Sequence, residues 1–397
     1  MDLLIKIKST IRSRIYNYLK RKIFLKLIIY SNKHKKELKI TVDDYKDFHY
    51  SFSDIKFEFI LNNDDRYIYN NKDFRKISQN KNKYIYAYEG SSKKLSNLFA
   101  NFYELIEIKF ITFYRTNITH LSKMFKECTH LKKIDFYRFI SLNVICMGYM
   151  FSNCHSLTKI ENIDNLNTVN VINMSGMFHG CYEIKELDLN IFNTSKVKFM
   201  ECMFSKCKSL YRINIDNFSI NNLLYAKKMF NKCYSLKYLN LNHFNTKLVR
   251  DMSKMFYKCH SLQNILIDNF DISKVKSMKK MFSNCNSLSV LNLKSFKNTD
   301  ILKDISFMFS ECYKLKKLII DNINFHTIDN MYCAFYNCVN LEAIPINNFR
   351  NFQANIIKSM FPYPSVEVKN QLDIYYPYNS YYYKPNTKII PLFFQIK

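Results

Sequence analysis

Apolar residues in the middle of the chain follow two spacings in alternation. From Met200 to Cys207 the steps between apolar positions are three, one and three residues, which places them on one stripe of a short helix or helical turn. From Ile213 to Ile215 the step is two, which predicts a short strand with one buried face. The pattern predicts a repeating unit of one helix or helical turn and one strand. The next unit has the same order of apolar residues: Leu223, Ala226, Met229, Phe230, Cys233, Leu236, Leu239, Leu241 and Phe244.

This unit recurs with a nearly constant period, marked by the motif Met-Phe-x-x-Cys. Degenerate copies lie at Phe99 with Phe102 and at Phe361 with Pro364. A coil this short cannot fold alone, so neighbouring coils must stack. The repeat predicts an α/β solenoid of about eleven 26-residue coils over residues 91–367, leucine-rich-repeat-like, with a parallel sheet on one side. The cysteines of the motif are 26 or 27 residues apart: Cys128, Cys154, Cys181, Cys207, Cys233, Cys259, Cys285, Cys312 and Cys338.

The segments before and after the repeats have patterns of their own. Residues 1–37 form a basic arm with apolar residues at helical spacing, which predicts an amphipathic helix. The Tyr-rich tail, residues 368–397, is apolar enough to cover the last coil, whose core would otherwise be open. Residues 38–90 predict a small β-rich N-terminal cap, because they contain four alternating runs: Leu38–Val42, Ile55–Leu61, Tyr67–Tyr69 and Tyr84–Tyr88.

The repeats resemble a known family. The segment from Phe192 to Leu210 and the segment from Phe270 to Leu288 both read Phe-Asn/Asp-x-Ser-Lys-Val-Lys followed by Met-Phe-x-x-Cys-x-Ser-Leu. In this register they resemble the BspA-like leucine-rich repeat proteins over residues 98–364. The resemblance implies a repeat protein that acts in adhesion or protein binding, and it implies the cell surface as one compartment.

Composition and charge narrow the function classes. The chain has 397 residues and only 4 glycines, too few for a glycine-rich phosphate loop or a dinucleotide-binding fingerprint. The formal net charge of +27 has two explanations, an anionic partner or the composition of the genome. The excess of Lys, Asn, Ile, Tyr and Phe is typical of an AT-rich genome. Residues 1–40 hold a net +10, which makes this arm the densest basic segment.

The cysteines and histidines predict neither a metal site nor a catalytic site. Nine of the 12 cysteines occupy one position of the repeat and are expected to be small buried groups. The pairs Cys202 with Cys207 and Cys333 with Cys338 are five residues apart, a spacing that does not bring two ligands to one helix face. We therefore expect no cofactor and no enzyme activity. Free thiols in this number favour a reducing compartment.

Two rows of exposed residues are candidate contact sites. The first is the strand face, where residues between the buried leucines point to solvent and suit a protein partner: Arg212, Asn214, Tyr238, Asn240, Asn264, Asn292 and Lys317. The second is a basic stripe that stacked coils would form from Lys198, Arg250, Lys276 and Lys303, with Lys206, Lys232 and Lys258 before the cysteines. This stripe is either a solvated face or a site for an anion.

The sequence therefore predicts a non-enzymatic module for protein interaction or adhesion. The alternative is a basic peripheral protein that docks on an anionic membrane or on nucleic acid through residues 1–40, with the solenoid as a display scaffold. The best candidate for a secretion signal, residues 23–30, is interrupted by Lys26. Together with the free thiols this predicts a cytoplasmic location, and the family resemblance leaves the cell surface as the alternative.

Overall fold

The computed structural model of the chain describes residues 55–62, 73–90, 92–115, 117–297, 299–320, 322–344 and 352–372. The predicted basic arm, the runs Leu38–Val42 and Tyr67–Tyr69, and the tail beyond residue 372 lie outside these residues. The chain divides into two compact units. The first comprises Met1–Asn173, Cys181–Ile184 and Ile191–Thr194, and the second comprises Met174–Gly180, Lys185–Asn190 and Ser195–Lys397.

The first unit joins an antiparallel cap to the start of a parallel ladder. Its strands are β1 (Ile55–Leu61), β2 (Phe74–Asn80), β3 (Lys83–Tyr88), β4 (Leu105–Tyr114), β5 (Lys133–Asp135), β6 (Phe139–Ile140) and β7 (Lys159–Glu161). Strand β1 pairs antiparallel with both β3 and β4, and β4 pairs in parallel with β5, which pairs in parallel with β7. Strand β2 pairs with β3, and β6 pairs with β4.

Two of the predicted cap strands coincide with β1 and β3, and the sequence missed β2. The alternating apolar residues of β1 are buried, and Phe57 packs edge-on against Phe99 with ring centroids 5.2 Å apart. Six of the seven residues of β2 are exposed, so this strand has no alternation to reveal it. Phe99, the first degenerate copy of the repeat, stacks on Phe125 at 5.3 Å. The cap core therefore continues into the coils of its own unit.

In the second unit short parallel strands pair one coil apart, as the repeat predicts. The central residues of these strands are buried, as Leu239 and Leu291 are, except that Ile213 is half-buried. The pairs are β8 (Glu186–Asp188) with β9 (Arg212–Asn214), β10 (Tyr238–Asn240) with β11 (Asn264–Leu266), and β12 (Val290–Asn292) with β13 (Lys317–Ile319). The leucine-rich-repeat-like solenoid with parallel strands is thus confirmed.

The Met-Phe-x-x-Cys segments are chains of β-turns, so of the helix or helical turn that the spacing predicted, the structure has turns. In the coil from Met252 to Cys259 the backbone N–H groups alternate between two kinds of partner. The N–H of Met255 donates to Met252 within the coil at 3.2 Å, whereas the N–H of Lys254 donates to Lys279 of the next coil at 2.8 Å. Lys254 and Lys258 have left-handed backbones, with φ of 58° and 61°. An α-helix would bond within one coil only, so inter-coil bonding selects turns.

The buried side chains of these turns stack in columns. Met252, Met255, Phe256 and Cys259 are all buried, as their spacing predicts. Phe256 stacks between its counterparts in the preceding and following coils, at centroid distances of 5.8 and 5.4 Å. Phe361, the last predicted copy, stacks on Phe335 at 4.5 Å. Columns of this kind explain why one coil needs its neighbours.

Two short helices lie at the end of the described repeats. They are α1 (Ala354–Met360) and α2 (Val366–Gln371). The carboxamide of Gln371 donates to the carbonyl of Glu342 at 2.8 Å and accepts from the N–H of Ile344 at 3.2 Å. One side chain therefore supplies both hydrogen bonds that a further strand would supply at this edge.

Candidate functional site

The strand face of the second unit consists of the outward residues of β9–β13. The first outward position of each strand is exposed: Arg212, Tyr238, Asn264, Val290 and Lys317. Four of these residues were predicted from the sequence. Val290, which is 50% exposed, was not, because hydrophobicity alone suggests that an apolar residue next to a buried leucine is also buried. Its step of one from Leu291 is the signal that shows it faces outward.

Three of the predicted residues occupy the second outward position of their strands, and their side chains stabilise the fold. The side-chain oxygens of Asn214, Asn240 and Asn292 each accept the N–H two residues further on, at 3.5, 3.1 and 3.1 Å. Such Asx turns end each strand and start the next bend. The side-chain oxygens of these asparagines are therefore occupied by the fold, and the first outward position offers the freer contacts.

Arg212 on the strand face pairs loosely with Glu186 of the neighbouring strand β8. A guanidinium nitrogen of Arg212 lies 3.9 Å from the carboxylate of Glu186, and both side chains are mostly exposed. The Tyr211 hydroxyl donates a hydrogen bond to the same carboxylate, which raises the pKa of that tyrosine. Exposed pairs of this kind contribute little to stability. They leave a mixed polar and aromatic surface that a partner can contact.

The predicted basic stripe is aligned but interrupted. Backbone hydrogen bonds of 2.9 to 3.0 Å connect Lys198, Leu224, Arg250, Lys276 and Lys303 in register. The four basic side chains are exposed, and Leu224 separates the first from the rest. Lys303 lies 3.6 Å from Asp329, which balances its charge at the far end. The column therefore offers only Arg250 and Lys276 as adjacent cations.

The column cysteines do more than fill space. Each thiol donates to the carbonyl oxygen of the stacked phenylalanine in the preceding coil, as Cys259 does to Phe230 at 3.1 Å. The sequence analysis expected only small apolar groups here and missed this bond, because it joins residues 29 or 30 apart. The other pairs have Sγ to oxygen distances of 3.0 to 3.2 Å: Cys128–Phe99, Cys154–Phe125, Cys181–Phe151, Cys207–Phe178, Cys233–Phe204, Cys285–Phe256, Cys312–Phe282 and Cys338–Phe309.

Burial makes these thiols unreactive. It raises the pKa of Cys259 and of Cys312 to about 12, and it raises the pKa of Cys285 well above its ordinary value. A thiol that stays protonated at neutral pH is a poor nucleophile and a poor metal ligand. All 12 cysteines are free. The column is therefore a structural element of the coils.

The remaining chemistry-bearing residues do not converge. Cys146 accepts a hydrogen bond from the Ser122 hydroxyl at 3.0 Å, and His155 stacks on Tyr182 at 4.3 Å. Burial, followed by the nearby Lys258, lowers the pKa of His260. Within the described ranges no three His, Cys, Asp or Glu side chains come together as metal ligands would. No helix in the same residues has both the length and the apolar content to cross a bilayer.

Comparisons with known proteins place the repeats in a family. A family model described as "Mycoplasma protein of unknown function, DUF285" matches residues 93–210, 119–239 and 226–349. A search of the curated proteins finds no match.

Similar solved structures include two bacterial proteins. One is a leucine-rich repeat protein from Eubacterium ventriosum ATCC 27560, with 19% identity and a TM-score of 0.35, covering 59% of this chain and 60% of that chain. The other is a leucine rich cell surface protein from Faecalibacterium prausnitzii A2-165, with 19% identity and a TM-score of 0.25, covering 67% of this chain and 84% of that one. Sequence identities and TM-scores this low do not show a function for this chain.

Proposed function

We propose that this chain, which belongs to the family described as "Mycoplasma protein of unknown function, DUF285", is a repeat module that binds a protein partner through the strand face of its second unit. The observation that carries the proposal is the exposure of Tyr238 and Val290, 52% and 50%, on two short strands that have one strand between them. Exposed tyrosine and arginine are the residues that recur in interaction hot spots. The BspA-like resemblance of the repeats agrees with a binding role.

The spacing of the coils suits an extended partner. Neighbouring parallel strands lie about 4.8 Å apart, so the first outward positions of β9–β13 form a row about 20 Å long. Arg212 stands near one end of the row and Lys317 stands at the other, with Tyr238, Asn264 and Val290 between them. A partner segment with a central apolar group and acidic flanks would complement this row.

A binding role fits the titratable groups better than a catalytic one. The largest rises in pKa belong to column thiols such as Cys285, which burial removes from any solute. Free thiols favour a reducing compartment, so we look for the partner among cytoplasmic proteins first and on the cell surface second. The basic arm of residues 1–40, the alternative binding element, lies outside the described residues.

The test compares two double variants, each of which replaces one tyrosine and one aliphatic residue by serine. Tyr238→Ser with Val290→Ser removes the centre of the strand face, and Tyr332→Ser with Ile301→Ser removes exposed side chains of 56% and 40% away from the named strands. Proteins captured from native-host extract by the wild type and the control pair should be lost with the strand-face pair. Equal capture by all three proteins would exclude the strand face as the binding surface.

A further inference from the structure

Six lysines occupy the left-handed turn positions of four neighbouring coils in the second unit. Lys228, Lys254 and Lys280 directly precede the Met-Phe pair, and they form one row. Lys206, Lys232 and Lys258 directly precede the column cysteine and form a second row. We call these six residues the lysine array. Their φ angles lie between 56° and 65°. The second row was predicted from the sequence as part of the basic stripe. The first row was not predicted, although each of its lysines directly precedes Met-Phe in three successive coils.

Lysine is a costly residue at these positions. A left-handed backbone is unfavourable for a residue with a Cβ, whereas glycine adopts it freely and asparagine tolerates it. Half of the other left-handed turn positions in the described coils hold such residues, namely Asn97, Asn101, Asn153, Gly176, Gly180, Asn284 and Asn337, and the other half hold Lys123, Glu127, Tyr149, Cys202, Phe307, Glu311 and Cys333. The fold therefore accepts asparagine or glycine in these turns, and it does not itself require lysine.

The array is also crowded with like charge. Backbone hydrogen bonds of 2.7 Å join Lys206 to Asn231 and Lys232 to Tyr257, which holds the coils in register at about 4.8 Å. Burial lowers the pKa of Lys254, and the next causes are four other lysines, Lys228, Lys280, Lys227 and Lys279. Burial likewise lowers the pKa of Lys232, followed by Lys258, Lys206, Lys208 and Lys228.

Two of the carboxylates beside the array have partners outside it. Asp251 lies 3.5 Å from the ammonium of Lys227, which is outside the six. Glu201 accepts a hydrogen bond from the Ser175 hydroxyl at 3.3 Å. The charged groups that lower the pKa of Lys232 and of Lys254 are all lysines. The array is thus a concentrated positive surface.

The aromatic rings next to the array are covered by its own lysines. The ammonium groups of Lys254 and Lys258 lie 6.0 and 5.5 Å from the ring centre of Tyr257. The ammonium of Lys280 lies 4.6 Å from the ring centre of Phe307. Proteins that bind single-stranded nucleic acid combine basic grooves with open aromatic faces on which bases stack. These rings do not present that feature.

We propose that the lysine array binds a chain of condensed phosphates, as in inorganic polyphosphate. Two parallel rows of ammonium groups, each about 10 Å long, match a linear anion that carries charge on every phosphorus. Between residues 201 and 285 the large exposed apolar side chains are Tyr211 and Tyr238 at the strands, so none stands among the turns to insert into a lipid surface. A phosphate chain needs neither a stacking platform nor an apolar insertion.

The experiment measures polyphosphate binding to the full chain by calorimetry at several salt concentrations. The test variant is Lys228→Asn/Lys254→Asn/Lys280→Asn, because asparagine tolerates a left-handed backbone and occupies the corresponding turn position at Asn97. The matched control is Lys237→Asn/Lys274→Asn/Lys294→Asn, three exposed lysines with the same total change of charge. The same three array positions changed to Arg keep the charge. The basic arm is present in all four proteins, so differences between them report the array.

The array variant should bind polyphosphate at least about tenfold more weakly than the wild type, with a salt slope lower by about one for each lysine removed. The control and the Arg variant should stay within about twofold of the wild type. No binding by the wild type, or equal loss in the array and control variants, would overturn the proposal. Tighter array-dependent binding of a single-stranded RNA or of anionic vesicles would also overturn it in favour of that partner.

Discussion

The thiol of Cys259 donates a hydrogen bond to the carbonyl oxygen of Phe230, one coil earlier, over 3.1 Å. The same carbonyl accepts the N–H of Cys233 at 3.2 Å, so it has one donor from its own coil and one from the next. Because Phe230 also stacks on Phe256 at 5.8 Å, the hydrogen bond and the ring stack join the same two coils. This pairing explains why cysteine and phenylalanine recur together with such a regular period.

Removal of the thiol should destabilise the second unit. We expect Cys259→Ala to lower the free energy of unfolding by about 2 kcal/mol, since it leaves a small cavity and removes one donor from a buried carbonyl. Cys259→Ser should lose less, because its hydroxyl can donate to the same oxygen. Urea unfolding at neutral pH measures both values. A loss for Ser equal to or larger than that for Ala would mean that the thiol acts only as apolar filling.

The buried thiols also predict unfolding in mild alkali. Their folded pKa is raised above the ordinary value of 9.0, so the unfolded chain releases these protons first as the pH rises. The stability is therefore complete below about pH 9 and falls above it, by about 1.4 kcal/mol per pH unit for each thiol. Several thiols together would exceed the stability of an ordinary domain. The thiols with raised pKa in the column are Cys128, Cys154, Cys233, Cys259, Cys285, Cys312 and Cys338.

Urea unfolding from pH 8 to pH 10 tests this. The slope of stability against pH should become steeply negative above pH 9. Cys259→Ser should reduce that slope by the contribution of one thiol, since a hydroxyl does not titrate in this range. A flat profile from pH 8 to pH 10 would show that the thiols are not buried in the folded protein.

The lysine array should lower the stability of the fold. Lys254→Asn relieves both like-charge repulsion and the cost of a left-handed lysine, so we expect a gain of about 1 kcal/mol at low salt. The gain should shrink as salt screens the repulsion. Lys274→Asn, at an exposed position without a positive φ, is the control and should change little. Urea unfolding at low and high salt measures both variants, and a loss of stability in Lys254→Asn would contradict the account.

Gln371 should protect the amide hydrogen of Ile344 from exchange with solvent. Gln371→Ala removes the bonds to the Glu342 carbonyl and the Ile344 N–H, so the amide hydrogen of Ile344 should exchange faster with solvent. Gln371→Glu should have an intermediate effect at neutral pH, because a carboxylate still accepts but no longer donates. Amide hydrogen exchange read by mass spectrometry measures this. Unchanged exchange in Gln371→Ala would show that the carboxamide does not close this edge.

The sequence predicted the columns and the strands because both depend on side-chain spacing. The buried positions of one coil, such as Met252, Phe256 and Cys259, follow directly from the repeat. It did not distinguish a helix from a chain of turns, since steps of three, one and three fit both when only one coil is considered. The difference lies in bonds such as Lys254 N–H to Lys279, which join residues 25 apart. The Asx turns of Asn214 and Asn240 were missed because local hydrogen bonds leave no mark on hydrophobic periodicity.

Site-specific photo-cross-linking in native-host cells tests whether the strand face binds the partner. A photoreactive phenylalanine analogue would replace Tyr238 in one protein and Tyr332, an exposed tyrosine away from the strands, in another. We expect one discrete cross-linked partner from position 238 and none of it from position 332. The cross-link from position 238 should be lost when Val290→Ser is added. The same products from both positions, or none from position 238, would contradict it.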